Sequence, residues 1–380
     1  MKIIPGSITT PKGFTANGLW SGIKKSGKLD LSLIFSEVQA TSAAVFTKNS
    51  VKAAPLIVSQ KHLKNNKAQA IITNSGNANC FTGKLGMIYA EHTAELISKQ
   101  LNIAKNDVIV ASTGIIGKPF PFKKILNSSK ELIAGLSTEN ATKAATAILT
   151  TDTRKKEIAV EATINKVKIR MGAMSKGSGM IAPNMATMLA YITTDAAISP
   201  KMLKLALKRA SDKSFNCITV DGCMSTNDMA VIMANGLAKN KPITTPGKAF
   251  DTFCDCLNHI SLDMAKKIVL DGEGATKFIE VIVKGAKTEK QAQSLALAVA
   301  NSNLVKTANY TNNPNWGRVA AAIGSLGIKD ITESNLKIGF KCPNDHELKI
   351  TATINLGNKC STAYTSNLTA EYIKINGEYT

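Results

Sequence analysis

Hydrophobic positions recur along the chain in two rhythms. Lys166–Met171 alternates Lys or Arg with Val, Ile and Met, the signature of a half-buried strand. Glu347–Asn355 alternates too, with Leu348, Ile350, Ala352 and Ile354 on one face. Lys277–Lys284 reads as a strand, and Tyr372–Ile375 as the last one. Leu33–Phe35 and Ala43–Phe46 read as short strands. Ala68–Thr73 is an apolar run ending in Asn74-Ser75-Gly76-Asn77, which is turn chemistry. Asp107–Val110 is a buried-type strand running into Ser112-Thr113-Gly114.

The second rhythm is helical. Ile88–Leu101 puts Ala94, Ile97 and Leu101 on one face. Ser199-Pro200 is an N-cap followed by a first-turn proline, ahead of Leu203, Ala206, Leu207 and Ala210. Ala292–Val305 turns Leu295, Ala298 and Val299 inward. Strands and helices so interspersed predict a layered α/β (α+β) fold with antiparallel or mixed sheet. No internal repeat or low-complexity tract interrupts the pattern. Ala238–Thr245 reads as a surface loop rather than a linker.

Composition narrows the class. The chain has 380 residues, enough for two domains and a large core. At 44% hydrophobic and 19% charged it is globular rather than disordered. No run of 18 apolar residues occurs, so no membrane partner is expected. The first residues lack a signal or transit pattern, and a cytoplasmic location is the expectation. The seven cysteines have neither disulfide-framework nor zinc spacing, and no metal is expected.

The formal charge is +20, yet arginine occurs only at Arg154, Arg170, Arg209 and Arg318. Nucleic-acid readers favour arginine's planar fork. Lysines spread along the chain therefore suggest a solvated surface, with no nucleic-acid partner.

The informative segment is Lys176-Gly-Ser-Gly-Met180-Ile-Ala-Pro-Asn184-Met-Ala186-Thr187-Met-Leu189. Gly177 and Gly179 permit backbone shapes that other residues resist. Pro183 bars a central strand or helix interior. The pattern then switches to the apolar run Met188–Ile192. A turn with a small residue and then Thr at the junction suits intramolecular attack. There the Thr hydroxyl could add to the preceding carbonyl, and an N-to-O acyl shift followed by hydrolysis of the ester would break the chain. A Thr hydroxyl needs an adjacent base. Once Thr187 is an N-terminus, its own α-amine, with a pKa of about 8, supplies one. Read alone, the same segment is also an ordinary loop before a strand.

This segment resembles the cleavage-site signature of the ornithine acetyltransferase family (glutamate N-acetyltransferase). The likeness spans the chain. Upstream it includes Thr10-Pro-Lys-Gly-Phe14, Val45-Phe-Thr47, Ala53-Ala-Pro55, Asn74-Ser-Gly-Asn-Ala-Asn79, Ser112-Thr-Gly-Ile-Ile-Gly117 and Thr150-Thr-Asp-Thr153. Downstream come Ser214-Phe-Asn216, Thr219-Val-Asp-Gly222, Ser225-Thr-Asn-Asp228, Asp271-Gly-Glu-Gly-Ala-Thr276, Asn313-Pro-Asn-Trp-Gly-Arg318 and Lys374-Ile-Asn376.

The resemblance implies self-cleavage between Ala186 and Thr187, giving an α chain of residues 1–186 and a β chain of residues 187–380. It implies that Thr187 takes acetyl from N2-acetyl-L-ornithine and passes it to L-glutamate, a step of arginine biosynthesis. Thr113 and Gly114 match the family's oxyanion-hole pair. Thr153, Lys176, Thr187, Glu273, Asn376 and Thr380 match substrate-binding positions, with Thr150 and Thr151 left open beside Thr153. The fold implied is N-terminal-nucleophile-like, shared with self-processing aminopeptidases, and the assembly α2β2. No cofactor is implied; acetyl-CoA stays open as a co-substrate. Two other readings stand beside this one: an aminopeptidase or amidase on the same scaffold, and an uncut, non-catalytic binding protein.

Overall fold

Ala70 and Ile72 face one apolar core while Ile71, between them, faces another; Val108, Ile109 and Val110 repeat the alternation on the next strand. A strand buried on both faces needs apolar residues in succession. That is why these runs lack the polar alternation of a surface sheet. Each such side chain contributes about 1.5–3 kcal/mol when fully buried.

The computed structural model describes residues 1–182, 188–311 and 313–378. They fall into two compact units. The first comprises residues 1–177, 188–214 and 224–264; the second comprises 178–182, 215–223 and the described residues from 265 on. The division does not follow the 186/187 boundary.

The first unit holds nine strands: β1 (Lys2–Ile4), β2 (Phe14–Leu19), β3 (Leu31–Phe46), β4 (Lys67–Asn77), β5 (Val108–Ile115), β6 (Lys156–Ile164), β7 (Val167–Lys176), β8 (Leu189–Thr194) and β9 (Met229–Ala234). They form one sheet in the order β1-β6-β7-β8-β9-β3-β4-β5, with β2 paired to β3. The pairs β4/β5 and β8/β9 are parallel. The helices are α1 (Ala54–His62), α2 (Gly83–Leu101), α3 (Phe122–Ala134), α4 (Ala141–Ala147) and α5 (Pro200–Asp212). Residues of α2 and α3 pack into one core with Ile72 and Val110, and those of α4 into the other with Tyr191 and Val231. The long α6 (Lys248–Leu270) follows.

The second unit's sheet has the order β11-β12-β10-β13, from β10 (Phe278–Ala286), β11 (Leu336–Asn344), β12 (Glu347–Ile354) and β13 (Lys359–Ser366). Helices α7 (Glu289–Asn301), α8 (Asn303–Ala308) and α9 (Trp316–Gly324) share its core, and α10 (Ala370–Glu378) follows. The layered α/β expectation holds in both units, with sheets of mixed direction.

Some elements differ from the sequence expectation. The two short strands at 33–35 and 43–46 are ends of one strand, β3, whose exposed middle (Glu37–Gln39) carries a register shift. Asn74–Asn77 lie in β4, not in a turn. Their partners on β5, Ser112 to Ile115, extend the ladder past the apolar run. Thr113 and Gly114 accordingly sit in the last residues of a strand. The helix at 292–305 breaks at Ser302, whose hydroxyl caps the next helix, and Ala298 is only half-buried. Tyr372–Ile375 is helical, within α10: Thr369 caps it by accepting the Tyr372 N–H. A four-residue stretch such as Tyr-Ile-Lys-Ile fits either period, and the cap decides it. Ser199 caps α5 as expected, and β12 buries Leu348, Ile350, Ala352 and Ile354.

Candidate active site

At the end of the parallel pair β4/β5, Ser75 stands opposite Thr113 and Gly76 opposite Gly114. Gly114 has φ +128°, and a Cβ there would lie 2.4 Å from the Gly76 carbonyl carbon and 2.6 Å from the Asn77 nitrogen. Only glycine allows this approach. Ser112 Oγ donates to Asn74 Oδ1 (2.6 Å), and Asn74 Nδ2 donates to the Asn77 carbonyl (2.8 Å). Thr113 is buried beside these bonds. The strand end is held from the side as well: Asn227 Nδ2 donates to the carbonyls of Ala78 (2.7 Å) and Ser112 (2.8 Å).

The stretch carrying Asn227 gathers several of the sequence motifs. Thr47 Oγ1 donates to the Ser225 carbonyl, the Ala53 N–H to that of Thr226, and the Thr47 N–H to that of Asp228. Met188, the residue of the signature that follows Thr187 in sequence, is gripped at both peptide groups. Its N–H donates to Asp228 Oδ1 (2.9 Å), and its carbonyl accepts from the Met229 N–H (3.2 Å).

A second cluster in the same unit surrounds Asp152. Its side chain is fully buried, as nearly are those of Lys156 and Lys176. Lys156 Nζ donates to Asp152 Oδ1 (2.7 Å), and so does the Gly177 N–H (2.6 Å). The Thr150 N–H donates to Oδ2 (3.0 Å), and Lys176 Nζ lies 3.7 Å from that oxygen. Lys176 Nζ donates to Thr150 Oγ1 (2.7 Å). Burial alone would raise the Asp152 carboxyl, but Lys176 and Lys156 hold it well below the ordinary carboxylate range. Lys24 Nζ donates to the carbonyls of Leu29 and Leu149. Burial lowers its pKa to about 8, against the opposing pull of Asp30.

These lysines depart from the solvated-surface expectation, as does Lys306 in the second unit. Lys306 is 2% exposed, donates to the Val220 carbonyl and is lowered to about 8 by burial.

In the second unit, Glu273 is buried and Asn376 Nδ2 donates to its Oε2 (2.7 Å). The Glu273 N–H donates to the Ser178 carbonyl. A Cβ on Gly179 would fall 2.1–2.4 Å from the Glu273 carboxylate, so this glycine lets the loop lie against that acid. Asp221 accepts from the N–H groups of Met180 (2.6 Å) and Ile181 (3.0 Å) and from the Tyr372 hydroxyl (3.2 Å).

Of the residues expected from the sequence, Thr113 and Gly114 adjoin on β5, Lys176 meets Thr150, and Glu273 meets Asn376. Thr153 is exposed, two residues from the half-buried Thr151. Ala186, Thr187 and Thr380 lie outside the described residues. Asp152, Asn227 and Asp228 were present inside motifs but not singled out. A buried acid beside several lysines, or an Asn-Asp pair ahead of a buried strand, was the available signal. Among the described residues no group of three His, Cys, Asp or Glu side chains could hold a metal ion. No helix among them is long and apolar enough to cross a membrane.

The ArgJ family model matches residues 15–380. The arginine biosynthesis bifunctional protein ArgJ of Caldanaerobacter subterraneus subsp. tengcongensis is 43% identical over 402 residues, covering 100% of each chain. The glutamate N-acetyltransferase of Methanocaldococcus jannaschii is 42% identical over 417 residues, again covering 100% of each. Among solved structures, the ornithine acetyltransferase of Mycobacterium tuberculosis complexed with ornithine is 35% identical. It covers 48% of this chain and 97% of its own, with a TM-score of 0.45.

Proposed function

This chain belongs to the ArgJ family, and from that premise we propose that it transfers acetyl from N2-acetyl-L-ornithine to L-glutamate in arginine biosynthesis. It is an acyltransferase. One observation carries the reading: relatives named as bifunctional ArgJ and as glutamate N-acetyltransferase match it from end to end at above 40% identity.

The chemistry runs in two halves. After cleavage of Ala186–Thr187, the Thr187 hydroxyl attacks the acetyl carbonyl of N-acetylornithine. Its α-amine accepts the proton and passes it to the departing ornithine nitrogen. Thr113 hydroxyl and Gly114 N–H stabilise the oxyanion, a service worth about 3–4 kcal/mol per donor. Glutamate's amino group then attacks the acetyl ester and regenerates Thr187. The support for these roles is the motif match together with the tight β4/β5 end.

Lys176 binds the substrate carboxylate, beside Thr150. Lys176 and Lys156 against Asp152 leave one formal positive charge, which suits an acid ligand. Glu273, with Asn376, takes the substrate's amino group. Thr153 and Thr380 complete the binding set carried over from the resemblance. Acetyl-CoA enters as an alternative donor in a bifunctional enzyme, no bound cofactor is required, the cut chains assemble as α2β2, and the setting is the cytoplasm. Hydrolysis in the manner of an aminopeptidase is not favoured, because the relatives are named for transfer.

The test is direct. Purified protein given both substrates should yield N-acetylglutamate and ornithine. Thr187→Ala should run as one intact chain on a denaturing gel and transfer nothing measurable. Absence of N-acetylglutamate from the parent enzyme, or full transfer by the variant, overturns the reading.

A further inference from the structure

We infer that Asn227 and Asp228 are positioning residues that refer the nucleophile and the oxyanion donors to one short stretch of backbone. The inference rests on the reading above, in which Thr187 is the nucleophile and Thr113 and Gly114 are the donors.

Adjacent side chains hold the two halves. The Asn227 amide donates both its hydrogens, one to the Ala78 carbonyl and one to the Ser112 carbonyl. Ala78 directly follows β4, Ser112 lies in the second half of β5, and Thr113 is the next residue after Ser112. The amide oxygen is also engaged, accepting from Thr226 Oγ1 (2.6 Å). One residue on, Asp228 Oδ1 accepts the Met188 N–H (2.9 Å). Met188 follows Thr187 directly. The β8/β9 ladder begins only at Leu189 opposite Met229. The carboxylate therefore adds one side-chain rung beyond the ladder, toward the cleavage junction.

Both side chains are buried, at 5% and 1% exposure. Burying a carboxylate is costly unless it is paired or hydrogen-bonded, and the Met188 N–H supplies one such bond to Asp228. Nucleophile and carbonyl must meet at about 3–3.5 Å, and a misplacement of about 1 Å costs on the order of 10²-fold in rate. A pair of consecutive side chains that fixes the residue after one partner and the residue before the other meets that tolerance.

Asp228→Asn keeps an acceptor oxygen for the Met188 N–H and removes the charge. Asp228→Glu keeps the charge and moves the acceptor by one methylene. Asp228→Ala removes both. Self-cleavage is followed on gels from fresh synthesis, kcat and KM are measured on the cut fraction, and melting confirms folding. The expected result is that Ala and Glu slow cleavage at least about 10-fold and lower kcat by on the order of 10²-fold with KM little changed. Asn should recover most of both losses.

Cleavage and turnover at the parental rate in the Glu variant overturn the inference. So does a loss in Asn equal to that in Glu, because an acceptor oxygen left in place would then not preserve the function. Should Ala fail to fold, the Asn and Glu pair decides alone. N-terminal sequencing of the parent separates the two claims: no start at Thr187 sinks the nucleophile reading and this inference with it. A normal start together with unaffected variants sinks this inference only.

Discussion

The Asp152 side chain is enclosed by groups that donate to it or carry positive charge: Lys156, the N–H groups of Thr150 and Gly177, and Lys176 at 3.7 Å. Through Gly177 and Lys176 it fixes the end of β7, just before the proposed cleavage segment. Replacing it by Asn leaves the buried Lys156 charge without its carboxylate, a loss of about 3–5 kcal/mol. The pH dependence has a definite sign. The folded carboxyl is depressed below its ordinary value of 3.8. Its contribution is therefore complete above about that pH and is lost as pH falls further. Denaturant unfolding should show Asp152→Asn less stable at neutral pH, with a shallower fall between about pH 4 and pH 2. An equal fall in both proteins contradicts the assignment. Lys176 was legible because the motif singles it out, eleven positions before Thr187. Asp152 was not, because the Asp152–Lys156 spacing implies pairing only on a helix. Here the stretch is irregular up to Lys156, where β6 begins.

Among the elements, the β4/β5 end carries the greatest demand. Gly114 sits against backbone atoms of Gly76 and Asn77, which cannot swing aside as a side-chain tip can. Gly114→Ala should therefore destabilise by about 2–4 kcal/mol and, by displacing the proposed oxyanion donor, slow transfer about 10²–10³-fold. Calorimetry and steady-state rates check this, and a variant with unchanged melting and rate would remove the steric argument. The apolar cores of β4, β5, β8 and β12 were readable from sequence because burial dictates their residues. The polar extension Asn74–Asn77 read as a turn because Asn, Ser and Gly favour turns locally. The parallel ladder to β5, a pairing across more than thirty residues, overrides that preference. The helix α10 was misread for a related reason. Ile373 and Ile375 flank Lys374 with the alternation of a strand, and the deciding bonds come from Thr369 and from Asn376 Nδ2, which reaches back to the Tyr372 carbonyl.

For the whole molecule, the family pattern runs through both compact units, while the proposed cleavage position divides the chain differently from either. Residues before the proposed cut (Thr113, Lys176) and after it (Asn227, Asp228) share the first unit. Opening one peptide bond is therefore compatible with the retained fold, since the nine-stranded sheet draws strands from both sides of it. Full-length similarity made the architecture legible as a resemblance; composition and periodicity reached only the α/β class. The net charge of +20 is not all surface, because Lys156, Lys176 and Lys306 are buried.

Intact-mass measurement of the enzyme after N-acetylornithine is added without glutamate tests the account most directly. It predicts two chains, residues 1–186 and 187–380, with one acetyl group on the second, at Thr187, that disappears when glutamate follows. A single uncut chain, or an acetyl group located elsewhere that glutamate removes at the same rate, would contradict it.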